Sequence, residues 1–167
     1  MKVTQNELEH MAVQQYGMVP PLVKQISAVS TSVAYHYLVG LSLVKEGAFS
    51  PIEQNVIQLR TSILNRCEAC IKGHSFLLKS LGLPDLEIAA IRGGLLTSDK
   101  AVNRVIDLTN TVFDAGRNGF AAEHLEKLEA MNASQAELYE VISMIASKTI
   151  SNYINNYSQA VKTKVNA

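Results

Sequence analysis

The residues best suited to chemistry in this sequence are two cysteines and one histidine that lie within eight positions of one another. At about 100° per helical residue, Cys70 lies about 300° and His74 about 700° around the axis from Cys67. After subtraction of full turns these angles are about −60° and −20°, so the three side chains would share one narrow stripe. This geometry requires Cys67 at or just inside the start of a helix, which fits a preceding helix that ends near residues 65–66.

A cysteine in the first turn of a helix faces unpaired backbone N–H groups and the positive end of the helix dipole, which favour its thiolate. At such sites the pKa of a thiol falls from about 8.5 into roughly the 3.5–7.5 range. The thiolate attacks peroxide oxygen or a disulfide, and a second cysteine one turn away can resolve a sulfenic acid. A histidine one further turn along can take the thiol proton and return one to the leaving group. The stripe thus supplies a nucleophile, a resolving thiol and a base.

Two other interpretations of the motif stay open, and a third is excluded. The spacing C-x-x-C-x-x-x-H could hold a structural zinc ion, although one helix supplies only three ligands and no fourth is evident. The cysteines could also be core residues, since free cysteine is among the most buried residue types. Haem attachment needs a histidine directly after the second cysteine, and Ile71 stands there.

The elements that must position the motif are predicted to be helices, since the sequence has no sustained apolar–polar alternation and no hairpin turn signal. The clearest helix start is Ser50–Glu53, a capping box with proline at the first helical position. This start places the motif on a helix pair at about residues 50–81. A second capping box, Ser134–Glu137, opens a long last helix. Further helices are predicted up to Tyr16, around Tyr35 and ending at Gly47, from Asp85 to Ile91, from Ser98 to Gly116 and from Phe120 to Met131.

The fold class that follows is all-α. We expect one domain over residues 1–167 with about seven to eight helices, joined by connections of a few residues. Residues 1–20 are expected to form an N-terminal helical extension of this domain.

The net charge and the composition indicate which partners and which cellular compartment to expect. The 167 residues include 15 Lys and Arg against 15 Asp and Glu, so the formal net charge is zero, which argues against a nucleic acid or an anionic membrane as partner. The longest uncharged run, residues 25–44, holds too many polar side chains to cross a bilayer, and the first residues lack the apolar segment of a signal peptide. We therefore expect a cytoplasmic protein. With only 18% charged residues, below an average of about 25%, we also expect a homo-oligomer.

The motif in this helical context resembles that of the AhpD-like alkylhydroperoxidases within the carboxymuconolactone decarboxylase superfamily. These all-helical proteins carry a glutamate, eleven residues, and then C-x-x-C-x-x-x-H. Phe49–Gln54 is similar to the segment that opens the family's motif-bearing helix pair, and Lys148–Asn155 is similar to its closing helix. The resemblance covers roughly residues 30–157.

The resemblance implies a role for each residue of the motif. Cys70 would attack the peroxide, Cys67 would be its resolving partner, and His74 would relay the proton. It further implies an antioxidant peroxidase that reduces organic hydroperoxides without a tightly bound cofactor. An external dithiol such as dihydrolipoamide, free or on a lipoylated protein, would re-reduce it. The assembly would be a hexamer, or alternatively a trimer.

The sequence leaves two alternative functions open. Within the same family, a carboxymuconolactone-type decarboxylase is the runner-up, although that chemistry does not call for a neighbouring pair of thiols. From a different class, the chain could be a non-enzymatic helical oligomer whose motif binds zinc or senses oxidant.

The sequence departs from the family pattern at one position. The family glutamate would stand twelve residues before Cys67, and Asn55 occupies that place. On an antiparallel preceding helix this residue would lie opposite His74, where a carboxylate would orient and charge the imidazole. Asn55 can hydrogen-bond to the ring and fix its tautomer, but it cannot accept a proton. We therefore expect a relay that is shortened to His74 with water, or completed by another carboxylate, and weak peroxidase activity.

The remaining polar candidates are interpreted as structural. Glu53 is explained by its capping role, and Glu68 is expected to be solvated near a helix start. His36 is expected to be a hydrogen-bonded residue of the core or of an interface, whereas His10 and His124 are expected to be exposed. The polar and aromatic end of the last helix is expected to form a subunit contact or a satisfied helix surface; its residues are Asn152, Tyr153, Asn155, Asn156 and Tyr157.

Overall fold

A computed structural model describes residues 3–43 and 46–165. Over these residues the chain is all-α, which confirms the predicted class, and it forms nine helices where seven to eight were expected. The helices are α1 (Gln5–Tyr16), α2 (Pro21–Val29), α3 (Thr31–Leu43), α4 (Pro51–Leu64), α5 (Glu68–Ser80), α6 (Asp85–Gly93), α7 (Lys100–Asn118), α8 (Ala122–Ala130) and α9 (Gln135–Val165).

The additional helix is α2, which begins at a proline pair. Pro20 is its N-cap and Pro21 its first residue, a position where the missing N–H of proline costs nothing. Ser30 follows α2 with an extended backbone (φ −151°, ψ 108°) and separates it from α3. The uncharged run is therefore divided between two helices, and within the described ranges no helix is long and apolar enough to span a membrane. The predicted helix end at Gly47 depends on residues 44 and 45, which lie outside the described residues.

The contacts of the chain divide it into two compact units, residues 1–45 and 46–167. The first unit holds α1 to α3, in which Leu8, Ala12 and Leu38 are buried. The second unit holds α4 to α9 and carries the complete motif. The assignment of the whole chain to a single domain stays a prediction.

Helix α4 lies at the centre of the second unit, where it packs against α5, α6, α7 and α9. Its apolar face is fully buried at Val56, Ile57 and Leu59, and each such side chain stabilises the fold by about 1.5–3 kcal/mol. The predicted capping box is present at its start. Ser50 Oγ accepts from the N–H of Glu53 at 3.3 Å, and the Glu53 carboxylate accepts from the N–H of Ser50 at 2.8 Å.

Two predicted boundaries of α7 are wrong by a few residues. Asp99, not Ser98, is the N-cap, because its carboxylate accepts from the N–H of Ala101 at 2.7 Å. Ser98 instead donates its hydroxyl to Glu87 at 2.6 Å. At the other end α7 continues past Gly116 to Asn118, and it ends at Gly119, which has a positive φ of 90°.

The predictions for two histidines are also corrected. His124 is buried rather than exposed: its Nδ1 accepts from the N–H of Ala121 at 3.0 Å, and its Nε2 lies 3.1 Å from the Asp114 carboxylate. These contacts tie the start of α8 to α7, a structural role that the charged neighbours in sequence concealed. His36 is exposed on α3 and is not a core residue of this chain, whereas its predicted place in an interface stays a prediction.

The start of α9 is anchored to α7 by an ion pair. Arg104 donates to the Glu137 carboxylate at 2.8 and 3.2 Å, and its Nε donates to the carbonyl of Met131 at 2.9 Å. The pKa of Glu137 is lowered from 4.5 to about 2, first by the bond from Arg104 and then by the bonds from Ser134. Since α9 supplies much of the site described below, this anchor helps to set its geometry.

Replacement of Glu137 by Gln tests this anchor. We expect the free energy of unfolding at pH 7 to fall by about 1–3 kcal/mol, because the buried part of Arg104 loses a charged partner. Since folding lowers the pKa of Glu137, its contribution is present above pH 4.5 and is lost as the pH falls towards 2. Urea unfolding followed by circular dichroism over this pH range measures the difference. The exposed Glu126 on α8, changed to Gln, is the control, and a constant difference between wild type and E137Q at every pH would contradict the account.

Candidate redox-active site

The turn between α4 and α5 sets where the motif begins. Asn65 caps α4, and Arg66 follows in the left-handed region with φ 55°. The N–H of Arg66 donates to the carbonyl of Ile63 at 3.0 Å, and the N–H of Cys67 donates to the carbonyl of Ser62 at 2.9 Å. These two bonds are those of a Schellman motif, the common way in which a helix ends. Cys67 is both the last residue of this motif and the N-cap of α5, so the end of one helix fixes the start of the next.

The side chain of Asn65 ties this turn to α9. Its Nδ2 donates to Asn152 Oδ1 at 3.0 Å and to Thr149 Oγ1 at 3.2 Å, and its carbonyl accepts from Asn156 Nδ2 at 2.9 Å. Asn152 is fully buried and also donates to Ser62 Oγ at 3.2 Å. An unsatisfied buried amide costs about 1–3 kcal/mol, so these bonds strongly favour one register of α9 against the turn.

The two cysteines are joined by a disulfide, and their Cα atoms lie 5.3 Å apart. Cys67 precedes the helix with an extended backbone (φ −97°, ψ 90°) and is completely buried. Cys70 is the third residue of α5 and is 6% exposed. Cys67 is the N-cap and Cys70 lies in the first turn, so both sulfurs are near the positive end of the dipole of α5.

His74 lies one turn beyond Cys70, and its tautomer follows from its contact with Asn55. Asn55 Nδ2 donates to the carbonyl of Pro51 at 2.9 Å, which leaves its Oδ1 to face the ring. This oxygen lies 3.1 Å from His74 Nδ1. Since an amide oxygen only accepts, Nδ1 carries the hydrogen and Nε2 carries the lone pair in the neutral ring.

The electrostatic surroundings of His74 keep its ring neutral. Burial lowers the pKa of His74 well below 6.5, and the positive charge of Lys148 lowers it further. Lys148 lies on α9 and is only 3% exposed. Burial lowers its own pKa from 10.5 to about 7. The site thus contains a neutral imidazole and a lysine that titrates near neutral pH.

One face of α9 completes the site. Lys148, Asn152 and Asn155 follow one another at spacings of four and three residues, so they lie on one side of the helix. Asn155 Nδ2 donates to Cys70 Sγ at 3.2 Å. An amide N–H in this place favours a negative charge on that sulfur.

The structure brings all four predicted site residues together: Cys67, Cys70 and His74 on or next to α5, and Asn55 on α4. Glu53 is confirmed in its capping role, and Glu68 is exposed at the first position of α5. Neither carboxylate interacts with His74 or with Lys148 in the described structure. The catalytic roles of the four residues stay predictions.

Two residues of the site were missed by the sequence analysis, Lys148 and Asn155. The asparagines at the end of α9 do not form the helix surface that was expected, because Asn152 is buried and Asn155 and Asn156 bind the motif and its turn. Tyr153 and Tyr157 are exposed, and their role in a subunit contact stays a prediction. A signal did exist. A lysine shares one helical face with two asparagines and with buried Val141 and Met144, and a charged residue at an apolar position is rarely structural.

An open cavity of about 470 Å³ lies beside the motif, between the α4–α5 turn and α6. Arg66, Glu68 and Ile71 line it together with residues of α6, but neither cysteine does. In the part of the chain that the structure describes, no three His, Cys, Asp or Glu side chains are arranged to hold a metal ion.

The site combines a C-x-x-C disulfide with a neutral imidazole on a helical scaffold, and the comparisons with known proteins show the class to which such a chain belongs. A family model described as the carboxymuconolactone decarboxylase family matches residues 23–105, about half of the chain, and this segment includes the whole motif. The chain belongs to this family, as its motif predicted.

Two solved structures share the fold of this chain. One is a protein of unknown function from Agrobacterium tumefaciens, designated a candidate antioxidant defence protein AhpD; it is 19% identical with a TM-score of 0.65, over 76% of this chain and 88% of that one. The other is an uncharacterized peroxidase-related protein from Silicibacter sp. TM1040; it is 13% identical with a TM-score of 0.72, over 91% of this chain and 81% of that one. None of the curated proteins matches the sequence.

Substitution of Asn55 by Asp tests the contact that fixes the imidazole. Asp has the same shape as Asn, so the variant changes the charge next to Nδ1 and little else. We expect the pKa of His74 to rise, because a carboxylate at hydrogen-bond distance favours the imidazolium ion. The chemical shift of the His74 ring protons, followed by NMR during a pH titration, measures this change. Exposed His10 serves as an internal control, and an unchanged His74 titration would show that residue 55 does not determine the charge of the ring.

Proposed function

We propose that this protein is an AhpD-like peroxidase that reduces hydroperoxides with a Cys67–Cys70 dithiol. The observation that carries the proposal is the pair itself: two cysteines joined at the N-terminus of α5, with His74 one turn further on. Membership of the carboxymuconolactone decarboxylase family supports the same chemistry.

Cys70 is the nucleophile in this proposal and Cys67 resolves it. Two observations support this order. Cys70 is the more exposed of the two, whereas Cys67 is completely buried and cannot meet a substrate without a change in the turn. Asn155 donates a hydrogen bond to the sulfur of Cys70, which favours its thiolate.

The reaction balances without a bound cofactor. The Cys70 thiolate attacks the terminal oxygen of the hydroperoxide, an S–O bond forms, the O–O bond breaks, and the alkoxide leaves with a proton as an alcohol. The Cys67 thiolate then attacks the sulfur of the Cys70 sulfenic acid, an S–S bond forms, and hydroxide leaves with a second proton as water. An external dithiol, such as dihydrolipoamide or a lipoylated protein, returns two electrons and two protons to the disulfide.

The setting of this reaction is part of the proposal. We place it in the cytoplasm, where thiols are kept reduced, in an antioxidant role. The working unit is a homo-oligomer, a hexamer or alternatively a trimer. Exposed apolar side chains of the second unit, such as Phe76, Leu86 and Leu96, support association.

A thiol count tests the proposal directly, because the chain has only two cysteines. The reduced protein, treated with one equivalent of cumene hydroperoxide, should lose both thiols to an intramolecular disulfide and release one equivalent of alcohol. The Cys67→Ser variant should stop at a Cys70 sulfenic acid that dimedone traps. The Cys70→Ser variant should consume no peroxide above the buffer rate, and Ser98→Ala, far from the motif in sequence, should behave as wild type.

Two results would contradict the proposed function. Bound zinc together with thiols that do not react with peroxide would replace the proposal with a structural or sensing role. A Cys70→Ser variant that still consumes peroxide in the presence of dihydrolipoamide would show that Cys70 is not the nucleophile.

A second prediction concerns Asn55. The Asn55→Glu variant restores the residue of the family pattern and gives His74 a partner that accepts a proton. Because positioned acid–base groups contribute roughly 10²–10⁴-fold to rates, we expect steady-state peroxide consumption with dihydrolipoamide to rise by about tenfold. The Asn55→Gln variant lengthens the side chain in the same way without the charge and is the matched control. Equal turnover in wild type and N55E, with C70S inactive, would contradict this account of the departure.

A further inference from the structure

The ammonium group of Lys148 is buried beside the site and has no role in the reaction as written above. Its side chain is almost completely buried, and none of the ion pairs of the described residues involves it. No carboxylate offsets the effect of burial on its charge. An uncompensated buried charge destabilises a fold, so packing and stability do not explain a lysine at this position.

The face of α9 that meets the motif carries Lys148, whose charge acts on His74. Asn155 donates to Cys70 Sγ at 3.2 Å, and Lys148 lies two turns earlier and only about 20° away around the helix axis. The charge of Lys148 acts on His74, one turn after Cys70 on α5. The two helices therefore run in opposite directions here: the step from Cys70 to His74 along α5 corresponds to the step from Asn155 back to Lys148 along α9. The two helices align the sulfur with an amide and the imidazole with an ammonium group.

His74 is poorly suited to store a proton in this protein. Asn55 holds the hydrogen on Nδ1 and cannot accept one itself, so His74 exchanges protons only at Nε2. Both burial and the neighbouring lysine disfavour the imidazolium ion. A ring of this kind can accept a proton at Nε2, form a short-lived imidazolium ion, and release the proton again from the same atom.

We propose that Lys148 stores the proton that the dithiol releases, and that His74 Nε2 is the atom through which this proton moves. The inference rests on the proposed peroxidase function and deepens it. Lys148 acts through His74 and is thus a positioning residue, which supplies the proton without touching the peroxide.

The proton balance closes with one lysine. Neutral Lys148 takes the Cys70 thiol proton, which gives a thiolate and an ammonium ion. The thiolate attacks the hydroperoxide and the ammonium proton goes to the departing alkoxide, which leaves a neutral amine again. The amine then takes the Cys67 thiol proton, and it returns this proton to the hydroxide that leaves the Cys70 sulfenic acid. The products are the disulfide, the alcohol and water, with Lys148 unchanged.

The titratable groups that surround Lys148 in the described structure are few. From α5, His74 responds to the charge of Lys148, and Cys70 contacts Asn155 on the same face of α9. From α4 the neighbouring site residue is Asn55, which has no charge, and no charged side chain of α4 or α7 shifts the pKa of Lys148. A change of rate near neutral pH would therefore be due to Lys148 or to the thiols, and the variants below separate the two.

Two variants of Lys148 separate the effect of its positive charge from its ability to transfer a proton. Lys148→Met removes both, whereas Lys148→Arg keeps the charge but releases no proton in this pH range. Lys162, exposed near the end of α9, is changed to Met as the control. Two rates are measured against pH: alkylation of Cys70 by iodoacetamide in a Cys67→Ser background, which needs only a thiolate, and single-turnover oxidation of the dithiol by cumene hydroperoxide, which needs a thiolate and a proton.

Lys148→Met is expected to alkylate with a higher pH midpoint than wild type, and to be oxidised about 10²-fold more slowly at pH 7. Lys148→Arg is expected to alkylate as fast as wild type and yet to be oxidised slowly. Lys162→Met should match wild type in both rates. An alkylation midpoint that does not move in Lys148→Met, or an oxidation rate that is unchanged in Lys148→Arg, would overturn the inference.

Two further results distinguish a structural role of Lys148 from its proposed role in the reaction. Because burial of the charge destabilises the protein, Lys148→Met is expected to melt at or above the temperature of wild type, and a clearly lower melting temperature would show a structural role and overturn the inference. If wild type fails to reduce hydroperoxide at all, the proposed function fails. The alkylation midpoints would still decide whether Lys148 holds the Cys70 proton.

Discussion

The hydrogen-bonded turn between α4 and α5 is the constraint on which the site depends. Its Schellman bonds require a residue with positive φ, and Arg66 adopts this conformation at a cost of about 1–2 kcal/mol. The bonds that α9 makes to Asn65 offset this cost. As a result Cys67 is held at the N-cap of α5, Cys70 comes one turn later, and His74 follows on the same side. A change in the length of this turn would separate the two sulfurs from the imidazole.

Helix α9 supplies the other side chains of the site, and it is long enough both to be anchored to α7 and to reach the motif. Its first turn is fixed to α7 by the ion pair between Arg104 and Glu137, and its later turns bring polar side chains to the motif. An amide that contacts sulfur and an amide that holds the turn lie on the same face, at Asn155 and Asn152. Their positions follow from one rigid helix, so the distances within the site depend on an anchor that lies more than ten residues before Lys148.

The sequence predicts the local parts of this arrangement and misses the distant ones. The capping box at Ser50 and the helix start at Cys67 depend on neighbours within a few residues, and both are present. The separate helix α2 was missed because a proline pair can end one helix as well as begin another. The partners of α9 were missed because helical periodicity tells which residues share a face, but not what that face meets. Asn155 and Cys70 are 85 residues apart, and only packing brings them together.

The replacement of the family glutamate by Asn55 and the buried charge of Lys148 belong to one electrostatic arrangement. A carboxylate at position 55 would stabilise an imidazolium ion, and a lysine beside that ion would then be repelled by it. With a neutral amide there, His74 stays neutral, and Lys148 is the group beside it that can carry a positive charge. In the proposed relay the acid–base group lies on the α9 side of the imidazole, whereas the family pattern places a carboxylate on the α4 side. If the proposal holds, Lys148 supplies a proton donor near Cys70 although no carboxylate of the described residues contributes to the pKa shift of His74. The amide of Asn55 and the lysine must therefore be considered together.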